Sequence, residues 1–221
     1  MRKEIENKRD QMGYARVFQY ELFEGIEIRT FCGLVNRNNM EVVPCKYHNI
    51  LGFWNDAPLA VVEISDKYGY INKLGKEVTP ICYDFADDRF YCGIASVERD
   101  GKCGFVDASG REVVACKYDN CGVFVDDLSG VACNGIYGCI NTKGETIVPF
   151  RYDYLGVMGH NRICARIKGK NGLLDYTGCV IAPFEYDGIS DILSDFRIEY
   201  WKGSEHGFMD LNGGNKEVLP F

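Results

Sequence analysis

No stretch of the sequence approaches about 18 consecutive apolar residues, which excludes a membrane-spanning helix. An apolar signal core is also missing behind Met1, where Arg2-Lys3-Glu4-Ile5-Glu6-Asn7-Lys8-Arg9-Asp10 is charged instead, so a cytoplasmic protein is expected. Positive charge is in short supply. Lys and Arg number 25 against 32 Asp and Glu, and the net charge of −7 argues against nucleic acid as a partner. Histidine is scarce at three, and Gly-x-Ser-x-Gly, His-Glu-x-x-His and phosphate-binding loops do not occur. Gly169-Lys170-Asn171-Gly172 lies between strand signals, without the following helix that a phosphate site needs. With no nucleophile, base and orienting group to assemble, the expectation is no enzyme, no cofactor and no metal.

Cys-x-x-Cys is absent although cysteine itself is plentiful, at 11. An odd number without an export signal argues against a disulfide framework, and the wide spacing argues against zinc. The cysteines read instead as small buried apolar residues. Disorder is excluded by 14 Tyr, 13 Phe and a hydrophobic share of 46%.

What is present is a repeat. Tyr68-Gly69-Tyr70-Ile71-Asn72 recurs as Cys103-Gly104-Phe105-Val106-Asp107, Tyr137-Gly138-Cys139-Ile140-Asn141, Asn171-Gly172-Leu173-Leu174-Asp175 and His206-Gly207-Phe208-Met209-Asp210. A divergent first copy reads Cys32-Gly33-Leu34-Val35-Asn36. The anchors Gly33, Gly69, Gly104, Gly138, Gly172 and Gly207 stand 36, 35, 34, 34 and 35 residues apart. Three residues after each anchor comes Asn or Asp, and three further on comes Gly, replaced by Asn39 in the first copy. An apolar run then leads to Tyr47, Tyr83, Tyr118, Tyr152 or Tyr186, followed by Asp in every case except His48.

Each landmark has a physical reading. The Asx side chain bonds amides of the turn it opens, and the last turn position needs φ > 0, which Gly and then Asn best allow. Asp100-Gly101, Asn134-Gly135, Lys168-Gly169 and Lys202-Gly203 mark a second, tight hairpin turn. A glycine inside a strand weakens it unless a neighbouring backbone or ring comes close. The recurrent Tyr is expected to pack inward with its hydroxyl bonded, and the following Asp to fix the next loop. Residues 1–12 form a charged segment, read as a short helix or a loose end, and a single repeat domain is expected over 13–221.

On these motifs the chain resembles the WG-repeat proteins, whose units carry an aromatic-Gly anchor, Asp/Asn, Gly and Tyr-Asp in this order. None of the six residues before the anchors is Trp: they are Cys32, Tyr68, Cys103, Tyr137, Asn171 and His206. The resemblance implies bacterial origin, a recognition role and no established catalysis.

The expected fold class is all-β, with six three-stranded units whose apolar faces require stacked neighbours. An open β-superhelix competes with a six-bladed β-propeller. Because propeller blades carry four strands over about 40 residues, three recognisable strands favour the open array.

The loops after Tyr-Asp are rich in acids and supply the candidate site: Trp54, Asp56, Asp87, Asp88, Asp126, Asp127, Asp191 and Asp195. Equivalent loops fall on one edge of a repeat array, so these residues read either as a solvated rim or as a surface for a basic protein segment. Cations are a further use, but no EF-hand or calcium nonapeptide is present. Trp54 beside Asn55-Asp56 would also suit a sugar. His48, His160 and His206 read as tolerated substitutions rather than ligands. The function expected is a non-enzymatic, monomeric protein-interaction module whose partner has a basic surface. The alternative is a carbohydrate- or small-ligand-binding lectin-like domain.

Overall fold

The computed structural model describes residues 2–10, 12–53, 57–214 and 216–219, and these contain no helix. The chain divides into two compact units, Met1–Cys116 and Lys117–Phe221. The first holds β1 (Arg2–Arg9), β2 (Ala15–Phe23), β3 (Ile26–Val35) and β4 (Glu41–Tyr47) as one sheet. A second sheet follows, with β5 (Asn49–Leu51), β6 (Leu59–Ile64) and β7 (Lys67–Asn72). Isolated bridges Ile71↔Glu77 and Tyr68↔Tyr83 continue it. The third comprises β8 (Phe85–Ala86), β9 (Ile94–Arg99), β10 (Lys102–Asp107) and β11 (Glu112–Tyr118), whose end passes the division between units.

The second unit repeats the plan. Its sheets are β12 (Asn120–Cys121), β13 (Leu128–Cys133), β14 (Ile136–Asn141) and β15 (Thr146–Tyr152); β16 (Tyr154–Gly159), β17 (Arg162–Ile167), β18 (Lys170–Leu174) and β19 (Val180–Tyr186); and β20 (Gly188–Ile192), β21 (Ile198–Lys202), β22 (Glu205–Met209) and β23 (Glu217–Val218). All six sheets are antiparallel meanders in chain order.

The units are therefore not three-stranded. A first strand forms immediately after each Tyr-Asp, in the segment expected to be a loop, and five of the six sheets have four named strands. Four-stranded meanders are the blade unit of a β-propeller, so the strand count that favoured an open array no longer does. The N-terminal segment is likewise neither helix nor loose: β1 is an edge strand paired with β2, with Arg2, Lys3, Glu4 and Lys8 exposed and Glu6 and Arg9 half-buried. Charge on an edge strand opposes further strand addition.

Inner strands such as β6 and β18 are apolar on both faces because each packs against a sheet on either side. In β6, Ala60 and Val62 join Cys32, Leu34, Val43 and Tyr47 of the first sheet, while Leu59 and Val61 join Ala95 and Val97 of the third. In β18, Leu174 packs with Cys139 and Val148, and adjacent Leu173 packs with Ile198, Tyr200 and Met209. Each of the Val, Leu, Ile and Met side chains among them contributes about 1.5–3 kcal/mol on burial.

The anchor glycines explain the register. Gly33, Gly69, Gly104, Gly138, Gly172 and Gly207 face Val17, Val62, Val97, Val131, Ala165 and Tyr200 across the sheet. On the other side, a Cβ would meet the carbonyl oxygen of Val43, Pro80, Val114, Val148, Ala182 or Glu217, at 2.9 Å for Gly69, Gly138 and Gly172 and closer in the other three. Close approach of the neighbouring backbone is thus the reason for glycine, as its place inside a strand predicts.

The Asx turns form as expected in all six copies. Asn36, Asn72, Asp107, Asn141, Asp175 and Asp210 each accept, through Oδ1, the amides two and four residues on, at 2.8–3.1 Å. Asn39 holds φ 59°, where the other copies have glycine at 72–86°.

The residue after the recurrent Tyr does something other than fix its own loop. His48, Asp84, Asp119, Asp153 and Asp187 accept the amides of Ser65, Asp100, Gly135, Gly169 and Gly203, at 2.6–3.2 Å. These amides lie 16 or 17 residues downstream, in the hairpin between the second and third strands of the following sheet. The side chain ties that turn down from a distance.

Candidate recognition edges

In a four-stranded meander, the connections from first to second and from third to fourth strand share one edge of the sheet. The Asx turns lie there, and so do the acids singled out from the sequence. Asp87 and Asp88 follow β8, Asp126 and Asp127 join β12 to β13, Asp191 is the penultimate residue of β20, and Asp195 precedes β21. Trp54 and Asp56 lie outside the described residues.

The acids differ in what they touch. Asp87 Oδ1 accepts the Arg89 amide at 3.0 Å, and Arg89 Nε stands 3.6 Å from Asp87 and 3.9 Å from Asp88. Asp195 accepts Arg197 Nε at 2.7 Å, which holds its carboxyl below the usual range. Asp126 and Asp127, both exposed, take φ 47° and 64° in a two-residue turn closed by mutual Val125–Leu128 backbone bonds. Asp126 Oδ2 accepts the Tyr176 hydroxyl at 2.8 Å; Asp127 and exposed Asp191 have no ion-pair partner among the described residues. The sequence pointed to one rim, and the structure separates acids carrying their own arginine (Asp87, Asp88, Asp195) from acids without a cation (Asp126, Asp127, Asp191).

The histidines are each engaged. His48 Nδ1 accepts from Ser65, His206 Nε2 lies 2.6 Å from Glu199 Oε1 with its ring stacked on Trp201, and His160 meets the Phe196 ring edge-on at 5.2 Å. Among the described residues, no group of three His, Cys, Asp or Glu could hold a metal. Against the expectation of no disulfide, Cys103 and Cys121 are disulfide-bonded, and Cys92, Cys133 and Cys179 are exposed where small buried apolar residues were expected. Burial pushes the thiols of Cys32 and Cys164 up to about 11 and that of Cys139 up to about 12.

Sequence reasoning missed a groove on the opposite edge. It is open to solvent, has a volume of about 570 Å³, and is lined by Lys117, Tyr118, Cys133, Asn134, Ile136, Thr146 and Phe150, all within the unit Lys117–Phe221. The signal was available as two departures from the repeat: Thr146 where sister copies have Glu77 and Glu112, and Ile136 where they have Lys67, Lys102 and Lys170.

Comparison with known proteins bears on this arrangement. The family model described as WG containing repeat matches four consecutive spans, residues 33–68, 68–103, 104–135 and 137–170, which is more than half of the chain. The chain belongs to the WG containing repeat family. Each family span opens near an anchor glycine, so it supplies the last two strands of one sheet and the first two of the next. The WG repeat is therefore out of phase with the sheets, and the hairpin tied down by each Tyr-Asp belongs to the same span as that Tyr-Asp.

No curated protein matches the sequence. A crystal structure of a eukaryotic initiation factor superposes with a TM-score of 0.50 at 11% identity, covering 84% of this chain and 60% of that one. This chain thus spans less than two thirds of that chain's length, and at such identity the likeness concerns fold alone. Hsv2p of Kluyveromyces lactis gives 0.43 at 8% identity (98% and 77% covered), and AztD from Citrobacter koseri gives 0.39 at 11% (97% and 73%). Family membership and the β-repeat fold together make this a binding or recognition module.

Proposed function

We propose that the chain is a non-enzymatic protein-recognition module whose partner presents a basic segment to the acidic edge of the unit Lys117–Phe221. The observation that carries this reading is the trio Asp126, Asp127 and Asp191, exposed on the edge of the first-to-second strand connections without a cation of their own. An acid already neutralised by arginine gains little from a second cation, whereas an uncompensated carboxylate can trade water for a ligand's ammonium or guanidinium. The net charge of −7 adds long-range attraction for a basic partner. The engagement of all three histidines in structural contacts supports a role without catalysis. We read the module as a cytoplasmic monomer.

The test is an array of lysine- and arginine-rich peptides probed with the wild-type protein and with D126N/D127N/D191N. Asparagine tolerates the left-handed conformation of the Asp126-Asp127 turn, so charge is removed with the turn kept. Salt-sensitive binding to a subset of peptides, lost in the variant, is expected. Equal binding by both proteins would exclude this edge.

A further inference from the structure

Where consecutive sheets meet, the recurrent tyrosine hydroxyl is met in different ways, and not always bonded as expected: that of Tyr186 is buried without a hydrogen-bond partner among the described residues. Tyr47 donates to Glu77 Oε1 at 2.8 Å, and Lys46 Nζ reaches the same oxygen at 2.7 Å. Tyr83 donates to Glu112 Oε2 at 3.2 Å, with Arg99 Nη2 3.3 Å from that oxygen. Each is a tyrosine, a cation and one carboxylate at a fixed repeat position, two residues after the turn glycine. Tyr152 has no such glutamate, since Val180 stands there, and Arg151 fills the gap by donating to its hydroxyl from Nε and Nη2 at 3.1 and 3.0 Å.

Tyr118 has neither arrangement. The glutamate position is Thr146, and Lys117, in the place of Lys46, has no carboxylate within ion-pair distance among the described residues. The ammonium rests 5.1 Å from the Tyr118 ring centroid. The Tyr118 side chain is 5% exposed, and its hydroxyl has no hydrogen-bond partner among the described residues. Beside these groups lies the 570 Å³ groove, floored by Phe150, whose ring stacks on Tyr118 with centroids 6.0 Å apart and planes at 11°. Ile136, 41% exposed, supplies a further apolar wall. A cation, an unpartnered phenol and a threonine hydroxyl thus surround the place where sister junctions hold a carboxylate, next to an apolar floor.

We propose that this groove binds a small carboxylate with an apolar, planar body, the ligand's carboxylate taking the part that Glu77 and Glu112 play inside the chain. Lys117 pairs with the carboxylate, and Tyr118 and Thr146 donate to it. The body of the ligand lies against Phe150 and Ile136. The volume is that of a small-molecule site, and pockets of this kind combine apolar walls with a few convergent polar groups. The site lies on the edge opposite Asp126, Asp127 and Asp191, so it stands or falls separately from the acidic edge.

Calorimetric titration with 3-phenylpropionate tests this, with the uncharged 3-phenylpropan-1-ol as its comparison. Saturable binding of the acid and about tenfold or weaker binding of the alcohol are expected, because a charge-assisted pair is lost. K117M should weaken the acid by roughly ten- to a hundredfold. T146E, which returns the sister glutamate, should abolish binding and raise Tm, because the side chain occupies the site itself. Far-UV circular dichroism checks that each variant folds; Lys117 and Thr146 are exposed, so neither change disturbs a packed core. No saturable binding to wild type at about 5 mM, or equal affinity in wild type, K117M and T146E, would overturn the proposal.

Discussion

His48 Nδ1 accepts the amide hydrogen of Ser65 at 3.0 Å, as Asp84 Oδ2 accepts that of Asp100 at 2.7 Å. An imidazole and a carboxylate thus hold the same turn in two copies of one repeat, and what the position requires is an acceptor at that distance. H48D should therefore keep or raise Tm, whereas H48L should lower it and speed hydrogen exchange at the Ser65 amide. Unchanged exchange in H48L would show that the bond does not hold the turn.

Two glycines of the same hairpin separate steric from conformational demand. Gly135 has φ 74° and open space around a would-be Cβ, so G135A should cost about 1 kcal/mol through backbone strain. At Gly138 a Cβ would stand 2.9 Å from both the Val148 carbonyl oxygen and the Phe150 ring, and G138A should cost on the order of 2–3 kcal/mol. Urea denaturation of the two variants measures the difference. Equal losses would mean that β15 moves aside freely.

Acid sensitivity should be traceable to the Asx turns. The Thr177 hydroxyl and the amides of Thr177 and Cys179 hold the Asp175 carboxyl below its usual range. At Asp107 burial opposes the charge, but the Ser109 hydroxyl and the Arg111 and Ser109 amides outweigh it. A lowered carboxylate contributes stability that is complete above the unfolded value of about 3.9 and is lost as pH falls through the lower folded value. Stability should then be flat above about pH 5 and fall below about pH 4. D107N/D175N, which installs the residue used by Asn36, Asn72 and Asn141, should match wild type at pH 7 and show a shallower acid limb. An unaltered limb would place the acid sensitivity elsewhere.

The six-copy period, the Asx turns, the buried tyrosines and the reason for the anchor glycines were all legible, because each is a local rule repeated in register. The fourth strand was not. β8 and β12 are two residues long, too short for any alternation, and β16 contains Gly156 and ends at Gly159. Those strands exist because a neighbouring strand offers backbone partners, not because their side chains prefer extension. β1 was hidden for the same reason: Arg2–Arg9 reads as solvated charge, which suits an edge as well as it suits a loose end. For the candidate site, the repeat reading placed the described acids on one edge of their sheets but did not reveal which had arginines beside them. The groove at Lys117 is visible only when copies are compared across a junction, since Thr146 and Ile136 are unremarkable alone.

Thiol reactivity should follow burial. Cys133 and Cys179 are exposed, whereas burial raises the Cys32, Cys139 and Cys164 thiols to about 11, 12 and 11. Brief iodoacetamide treatment of the native protein at pH 8 should modify the first pair and spare the three, which react only after unfolding. Mass spectrometry that finds Cys139 alkylated in folded protein would contradict the packing between the fourth and fifth sheets.

The central claim is that the edge bearing Asp126, Asp127 and Asp191 recognises a basic protein segment. Its most direct measurement is the affinity of a lysine- and arginine-rich peptide selected on the wild-type protein, titrated against wild type and D126N/D127N/D191N across a salt series. The account predicts an affinity that falls steeply with salt in wild type and is weak and nearly salt-independent in the variant. The same affinity and the same salt slope in both proteins would contradict it.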